Sequence, residues 1–357
     1  MWEQQPKLPA SSRTRRALPR QLPKASLSSL SLPLLHRKRG SFLHPLYTFL
    51  MPRSMAREQD ILARPAPERP PRLTSRRIGI HTSTSGGIHN AAERAYRLGC
   101  NTLQIFSSSP RQWAPYELSD LQCEEMARLR ARYDLKPLVI HTNYLVNLAS
   151  TNPLFLRKSI EAFRGEVERA LAVCADYLVL HPGSFRGSDR EAGLLQTAAA
   201  IAASTQDLDL ATGGLTILIE NTAGAEFSLG SSFEQVAEVV DRLRGIVPIA
   251  ACIDTCHTHV AGYDIVTEEG IYQTLQQLDT TIGLNNVKVV HCNDAKSPRG
   301  SKLDRHEQIG KGTVGLQPFR VLLNDLRLAH AAFIAETPIA KPGDDRRNIQ
   351  ALKKLVA

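Results

Sequence analysis

From residue 77 onward the chain alternates short apolar runs with stretches of helical periodicity. The runs are RIGIHTS (77–83), TLQIFSS (102–108), PLVIHTNY (137–144), YLVLHPGS (177–184), LTILIENT (215–222), VPIAACIDTCH (247–257), NVKVVHCND (286–294) and AAFIAETP (331–338). Each concentrates Val, Ile and Leu without strict alternation, the mark of strands buried on both faces. Between them, SDLQCEEMARLRARY and PLFLRKSIEAFRGEVERALAVC space their apolar residues as helices do. Eight strand–helix units over about 280 residues predict an α/β protein, a (β/α)8 TIM barrel. An open doubly wound sheet is the competing architecture, but no G-x-G-x-x-G follows the first run.

The polar residues are placed with equal regularity. Nearly every run closes on a residue able to hold a metal or move a proton: His81, His141, His181, Glu220, Asp254 with His257, His291 and Glu336. Taken singly, such a histidine is usually a hydrogen-bonded structural residue and such a carboxylate a helix cap. Recurring at seven strand ends, they predict one shared site at the C-terminal rim of a barrel, and only TLQIFSS supplies no such residue. After the seventh run, SKLDRHEQIGKG (301–312) sets Asp304 and His306 two apart. An extended loop turns both the same way. Beside His257 they complete a three-ligand set with an open position, the arrangement of catalytic zinc.

The stretch ACIDTCH (251–257) adds Cys252 and Cys256 to this cluster. A structural zinc site of that kind needs a second short-spaced Cys or His pair. No second cysteine pair exists, and Cys100, Cys123, Cys174 and Cys292 are scattered. A chain of this length buries a core without disulfides, so a reducing, cytoplasmic setting is expected.

Composition changes the picture at one end only. With 42% hydrophobic and 22% charged residues the chain has a soluble globular profile, and no apolar run approaches the roughly 20 residues a membrane span requires. The net charge of +9 suggests a nucleic-acid partner, yet residues 1–77 hold 16 Lys+Arg against 4 Asp+Glu, leaving 28 against 31 in the remainder. The barrel itself is slightly acidic. Residues 1–76 form a basic, Pro-, Ser- and Arg-rich extension whose prolines break any useful helix, and it is expected to be disordered. Three readings of it stay open: an organellar transit peptide, a basic arm on phosphates, and, preferred, a start placed too far upstream, with Met51 or Met55 as the first residue.

The motifs HPGS, IENTAG, CIDTCH, AGYD, HCNDAK and LDRHEQIG, in this order, closely resemble the endonuclease IV family of apurinic/apyrimidinic endonucleases, from about Ile78 to the C-terminus. The resemblance implies a TIM barrel with three zinc ions held by nine side chains. His141 and His181 would bind one, and Asp254, His291 and Glu336 a second, with Glu220 bridging the two. His257, Asp304 and His306 would bind the third. Cys252 and Cys256 are not ligands on this reading, and Glu220 and Glu336 carry the catalytic roles. Five imidazoles and four carboxylates suit zinc without excluding manganese or iron. Arg111, Gln112, Tyr144 and Leu145, in RQW and NYLVNL, match positions that enter the minor groove at an abasic site.

The implied activity is hydrolysis of the phosphodiester 5′ to an abasic site in double-stranded DNA, leaving a 3′-hydroxyl and a 5′-deoxyribose phosphate, with 3′-end cleaning besides. A monomer with no membrane association is expected. Departures from the family pattern are Thr142, where Asp is common, Cys292 for Leu, and Glu307 for a second histidine. Two alternatives remain. A two-metal sugar isomerase or epimerase of the xylose-isomerase-like type needs neither the LDRH loop nor His141 and His181, and a non-catalytic lesion binder would tolerate a lost ligand.

Overall fold

The structure is a computed structural model that describes residues 61–65, 70–114 and 116–357. The expectations for residues 1–60, including a start at Met51 or Met55, lie outside the described residues.

Eight of the strands close into a parallel barrel. They are β1 (Arg77–His81), β2 (Thr102–Phe106), β3 (Leu138–His141), β4 (Tyr177–Leu180), β5 (Thr216–Glu220), β6 (Ile249–Asp254), β7 (Val287–His291) and β10 (Ala332–Ala335), and their order around the barrel is β1-β10-β7-β6-β5-β4-β3-β2. All eight predicted strands are present. Between β7 and β10 a short antiparallel pair intervenes, β8 (Asp294–Ala295) with β9 (His306–Glu307).

The connecting helices are α1 (Asn90–Leu98), α2 (Asp120–Tyr133), α3 (Pro153–Ala172), α4 (Arg190–Thr205), α5 (Phe233–Leu243), α6 (Thr255–Ala261), α7 (Glu268–Thr281), α8 (Gln317–Asn324) and α9 (Asp344–Leu355). Local chemistry sets their ends. Ser119 and Gln122 form a reciprocal capping box at the start of α2. Asn152 caps α3, whose first residue is Pro153. None of the described helices is long and apolar enough to cross a membrane.

The apolar residues divide between two layers. Val139, Val179, Leu218, Ala250, Cys252, Val289, Ala332 and Ile334 fill the barrel interior. A larger cluster, including Phe163, Phe233, Phe319 and Phe333, fills the space between barrel and helices. This is why the strands read as continuously apolar: one set of side chains serves each face. At Gly79 a Cβ would stand 2.3 Å from the Thr102 carbonyl oxygen, so only glycine lets β1 and β2 approach this closely. Packing also begins before Arg77. Ile61 leans on the main cluster, Arg97 donates to the Arg64 carbonyl at 2.8 Å, and Arg76 is buried.

Candidate metal centre

Strand register carries the ligand candidates to one level. Asp254 pairs with His291, and Phe106 with His141, as neighbours across the sheet. His141, Glu220, Asp254 and His291 are the last residues of β3, β5, β6 and β7. His181 and Glu336 lie one residue beyond β4 and β10. His257 departs from the expected strand: the sixth run ends at Asp254, and His257 sits in α6. The physical reason is a cap. The Asp254 carboxylate accepts from the His257 N–H at 2.8 Å, starting a helix where the apolar pattern suggested extended chain.

Among the described residues, three groups of His, Asp and Glu donor atoms result, each set lying within 4.8 Å: His141, His181 and Glu220; Glu220, Asp254, His291 and Glu336; and His257, Asp304 and His306. Glu220, fully buried, joins the first two groups. Its Oε2 lies 3.2 Å from His141 Nε2 and 3.0 Å from His181 Nε2, while Oε1 lies 2.9 Å from His291 Nδ1. In the third group Asp304 faces His257 Nε2 and His306 Nε2, each at 3.2 Å. All nine candidates converge on one pit.

The opposite edges of four of the five imidazoles are held by the protein. His141 Nδ1 is 2.7 Å from the Thr142 carbonyl, His257 Nδ1 2.9 Å from that of Asn221, and His306 Nδ1 3.2 Å from that of Glu336. A carbonyl only accepts, so each Nδ1 carries a proton, and Nε2 is the atom that offers a lone pair to the pit once its own proton is displaced, as a bound cation would do. His291 is reversed: Nε2 meets Gln104 Oε1 at 2.8 Å and Nδ1 faces the carboxylates. Gln104 Nε2 also lies 2.5 Å from Glu336 Oε1 and 3.0 Å from His81 Nδ1.

The second strand, which offers no ligand, therefore supplies the residue that fixes one ring and one carboxylate. Sequence reading missed it because a glutamine inside TLQIF carries no metal-binding signal. His81 reaches Glu336 Oε1 at 3.4 Å, at the margin of the donor groups and outside them. Asn293 was missed as well: its Nδ2 donates to Asp254 Oδ2 at 2.6 Å and its Oδ1 accepts from the Glu336 N–H at 2.8 Å.

Asp304 and His306 arrive by a different route. The β8–β9 pair returns the loop to the barrel mouth, with Ala295 opposite His306. Fully buried Asp294 braces it, accepting from the backbone N–H groups of Gly312 at 3.0 Å and Val314 at 2.9 Å. At Gly312 a Cβ would stand 2.2 Å from the Ala295 carbonyl oxygen, so the loop closes this tightly only with glycine.

Electrostatics hold the pit in an ionised state. Burial raises the Glu220 carboxyl, but His291, His181 and His141 outweigh it and leave the group well below the usual carboxylate range. Burial opposes protonation of His257 and His306, yet Asp254 and Asp304 prevail, raising His257 well above the ordinary value and His306 to about 9. The ion pairs of Glu220, Asp254 and Glu336 are with histidines. His306 Nε2 is buried without a hydrogen-bond partner. Fixed imidazole edges, ionised carboxylates and a buried ring nitrogen that faces Asp304 without a hydrogen bond fit divalent cations. Two thiols are near: Cys252 beside Glu220 and His291, and Cys256 beside Asp254 and His306. Burial pushes both up, Cys252 to about 12.

The four residues expected on DNA lie on the loops after β2 and β3. Arg111 and Gln112 are exposed and Leu145 is half-buried. Tyr144, 52% exposed, packs edge-on against Phe106 and lies 6.1 Å, centroid to centroid, from the His141 ring. The Tyr144 N–H donates to the Pro110 carbonyl at 3.1 Å, joining the two loops.

The profile of the xylose isomerase-like TIM barrel family matches residues 92–355. A probable endonuclease 4 of Solibacter usitatus is 48% identical over 283 residues, 78% of this chain and 96% of that protein. The chain belongs to the endonuclease IV family. Within that family, a probable endonuclease 4 of Chloroflexus aurantiacus is 39% identical over 282 residues, 78% of this chain and 98% of the relative. The crystal structure of endonuclease IV from Thermus thermophilus superposes with a TM-score of 0.68 at 33% identity, covering 78% of this chain and 98% of that one. A D-tagatose 3-epimerase-like protein shares the fold alone, at 19% identity and a TM-score of 0.59. As a member of the family the chain is a nuclease.

Proposed function

We propose that this protein is a DNA repair enzyme that hydrolyses the phosphodiester 5′ to an abasic site in duplex DNA, leaving a 3′-hydroxyl and a 5′-deoxyribose phosphate, and that it also cleans blocked 3′ ends. The observation that carries the reading is the division of Glu220, one oxygen toward each of two donor groups, with a third group supplied by the 304–306 loop. His141 and His181 would hold one zinc ion, Asp254, His291 and Glu336 a second, and His257, Asp304 and His306 a third, with Glu220 shared. When bound, the ions supply Lewis acidity, activating water and offsetting charge on the phosphate and the departing oxygen. Cys252 and Cys256 pack rather than coordinate.

The chain's own residues do the rest. Glu220 and Glu336, held by histidines, Gln104 and Asn293, keep the negative charge of the pit fixed in place. Tyr144 and Leu145 enter the space left by the missing base, while Arg111 and Gln112 engage the strand beside it. The enzyme acts as a cytoplasmic monomer. Its test combines metal analysis with nicking of a duplex that carries one abasic analogue. About three zinc equivalents are expected, with activity lost on prolonged chelation and independent of added Mg²⁺. Full activity after chelation, or a strict Mg²⁺ requirement, rejects it.

A further inference from the structure

Outside the metal pit the structure buries another carboxylate whose partners converge from three elements. Glu166, on α3, is 1% exposed. Its Oε2 accepts from the Ser107 hydroxyl and lies 3.2 Å from an Arg169 guanidinium nitrogen. Its Oε1 accepts from the Ser108 hydroxyl at 3.1 Å and from Asn143 Nδ2 at 3.4 Å. Arg169 Nε donates in turn to Ser107 Oγ at 2.9 Å. A buried ion pair is costly unless its remaining hydrogen-bonding capacity is met, and here the groups that meet it are the roots of two loops.

Those loops are the ones that carry the proposed DNA contacts. Ser107 and Ser108 open the segment leading to Arg111 and Gln112. Asn143 precedes Tyr144 and Leu145, and its Oδ1 accepts from the Leu145 N–H at 3.0 Å. Asn143 therefore ties Glu166, through one amide, to the turn that presents Tyr144 and Leu145. Farther out, the loops also meet through main-chain Pro110 and Tyr144, and Tyr144 packs edge-on against Phe106 at the end of β2.

We infer that Glu166 is a positioning residue: anchored by Arg169, it sets the spacing of the Arg111–Gln112 and Tyr144–Leu145 loops and thereby the recognition of the lesion, without touching substrate or metal. Its link to lesion recognition rests on the function proposed above, whereas its hold on the loops does not. A fixed neutral amide cannot replace it. In Glu166→Gln one oxygen becomes an N–H donor facing groups that donate, so at least one loop root loses its acceptor.

The experiment compares the wild-type full chain with Glu166→Gln, Ser108→Ala and, as a control on the exposed side of the same helix, Glu168→Gln. Trypsin cleavage after Arg111, followed by mass spectrometry, reads loop anchorage without reference to activity. Steady-state nicking of an abasic duplex reads recognition. Glu166→Gln is expected to speed cleavage after Arg111 and to raise KM about tenfold, with kcat and zinc content close to wild type. Ser108→Ala should shift both in the same direction by less, and Glu168→Gln should shift neither.

If Glu166→Gln does not fold, Ser108→Ala decides by the same two measurements. Unchanged trypsin cleavage and KM in folded variants overturn the inference. So does a fall in kcat and zinc content at constant KM, which marks a merely structural role. Absence of nicking by the wild type defeats the proposed function, while the trypsin comparison still decides whether Glu166 anchors the loops.

Discussion

The strand-borne donors and the loop-borne donors of the pit are built to different tolerances. His141, Glu220, Asp254 and His291 end strands whose hydrogen-bonded register fixes them, and they are buried. Asp304 and His306 sit on a loop, with side chains 49% and 18% exposed. Their position depends on a two-residue hairpin and on Asp294. Geometry is thus secured by the whole barrel in one region and by a few local bonds in the other. Elements with few buried contacts open at lower free energy than core strands.

The most damaging substitution falls in the strand-borne region, where Glu220 joins two of the donor groups. Glu220→Gln should leave a folded protein whose nicking rate falls by more than about 100-fold, because the shared carboxylate contributes charge to two groups at once. A loss no greater than that of Cys256→Ser would overturn the assignment. Next, Asp294→Ala should release the loop. Bound zinc is expected to drop from about three equivalents to about two, with the strand-held ions retained. Atomic absorption on the dialysed variant reads the difference, and uniform loss of all metal would show that the two regions are not separable. In the intact protein the same contrast predicts biphasic stripping by a chelator, the smaller phase first.

A weaker effect probes the strand side. Gln104→Ala frees His291 to take the other tautomer and should lower metal affinity or rate by about 10- to 100-fold, the usual cost of losing such support. Zinc titration monitored with a competing dye measures it.

The cysteines then separate packing from coordination. Burial pushes the thiol of Cys100 up to about 12, and those of Cys256 and Cys292 are raised also. Since only the thiolate reacts and it must also be reachable, native protein near pH 8 should lose exposed Cys174 first and half-buried Cys123, which burial also raises, more slowly to an alkylating reagent, and retain the four buried thiols. Peptide mapping checks which thiols are modified. The smallest effect belongs to the terminus: removing residues 1–54 should leave nicking intact and the salt dependence of DNA binding unchanged. A shallower slope, by about one unit per lost contact, would mean that the basic segment binds phosphate.

Much of this architecture was legible in the chain. Strands buried on both faces announce themselves as unbroken apolar runs, and the donors that close them, each ordinary by itself, are legible because they recur at seven strand ends. What escaped was support. Gln104 meets Glu336 across 232 positions of sequence, and Asp294 serves N–H groups about 20 positions away. No local pattern encodes such pairings, and neither residue is chemically conspicuous. The helix at His257 was hidden for another reason: one aspartate acts both as the end of a strand and as the cap of the helix after it.

The carbonyl-held rings bear on how the sequence is free to drift. For His141, His257 and His306 the orienting atom belongs to the main chain, which any residue type supplies alike. Position 142 is free to change because the imidazole beside it meets only the carbonyl there. His291 has no such insurance. Its orientation is inherited through one side chain, so among descendants of this gene position 104 should stay fixed while 142 wanders.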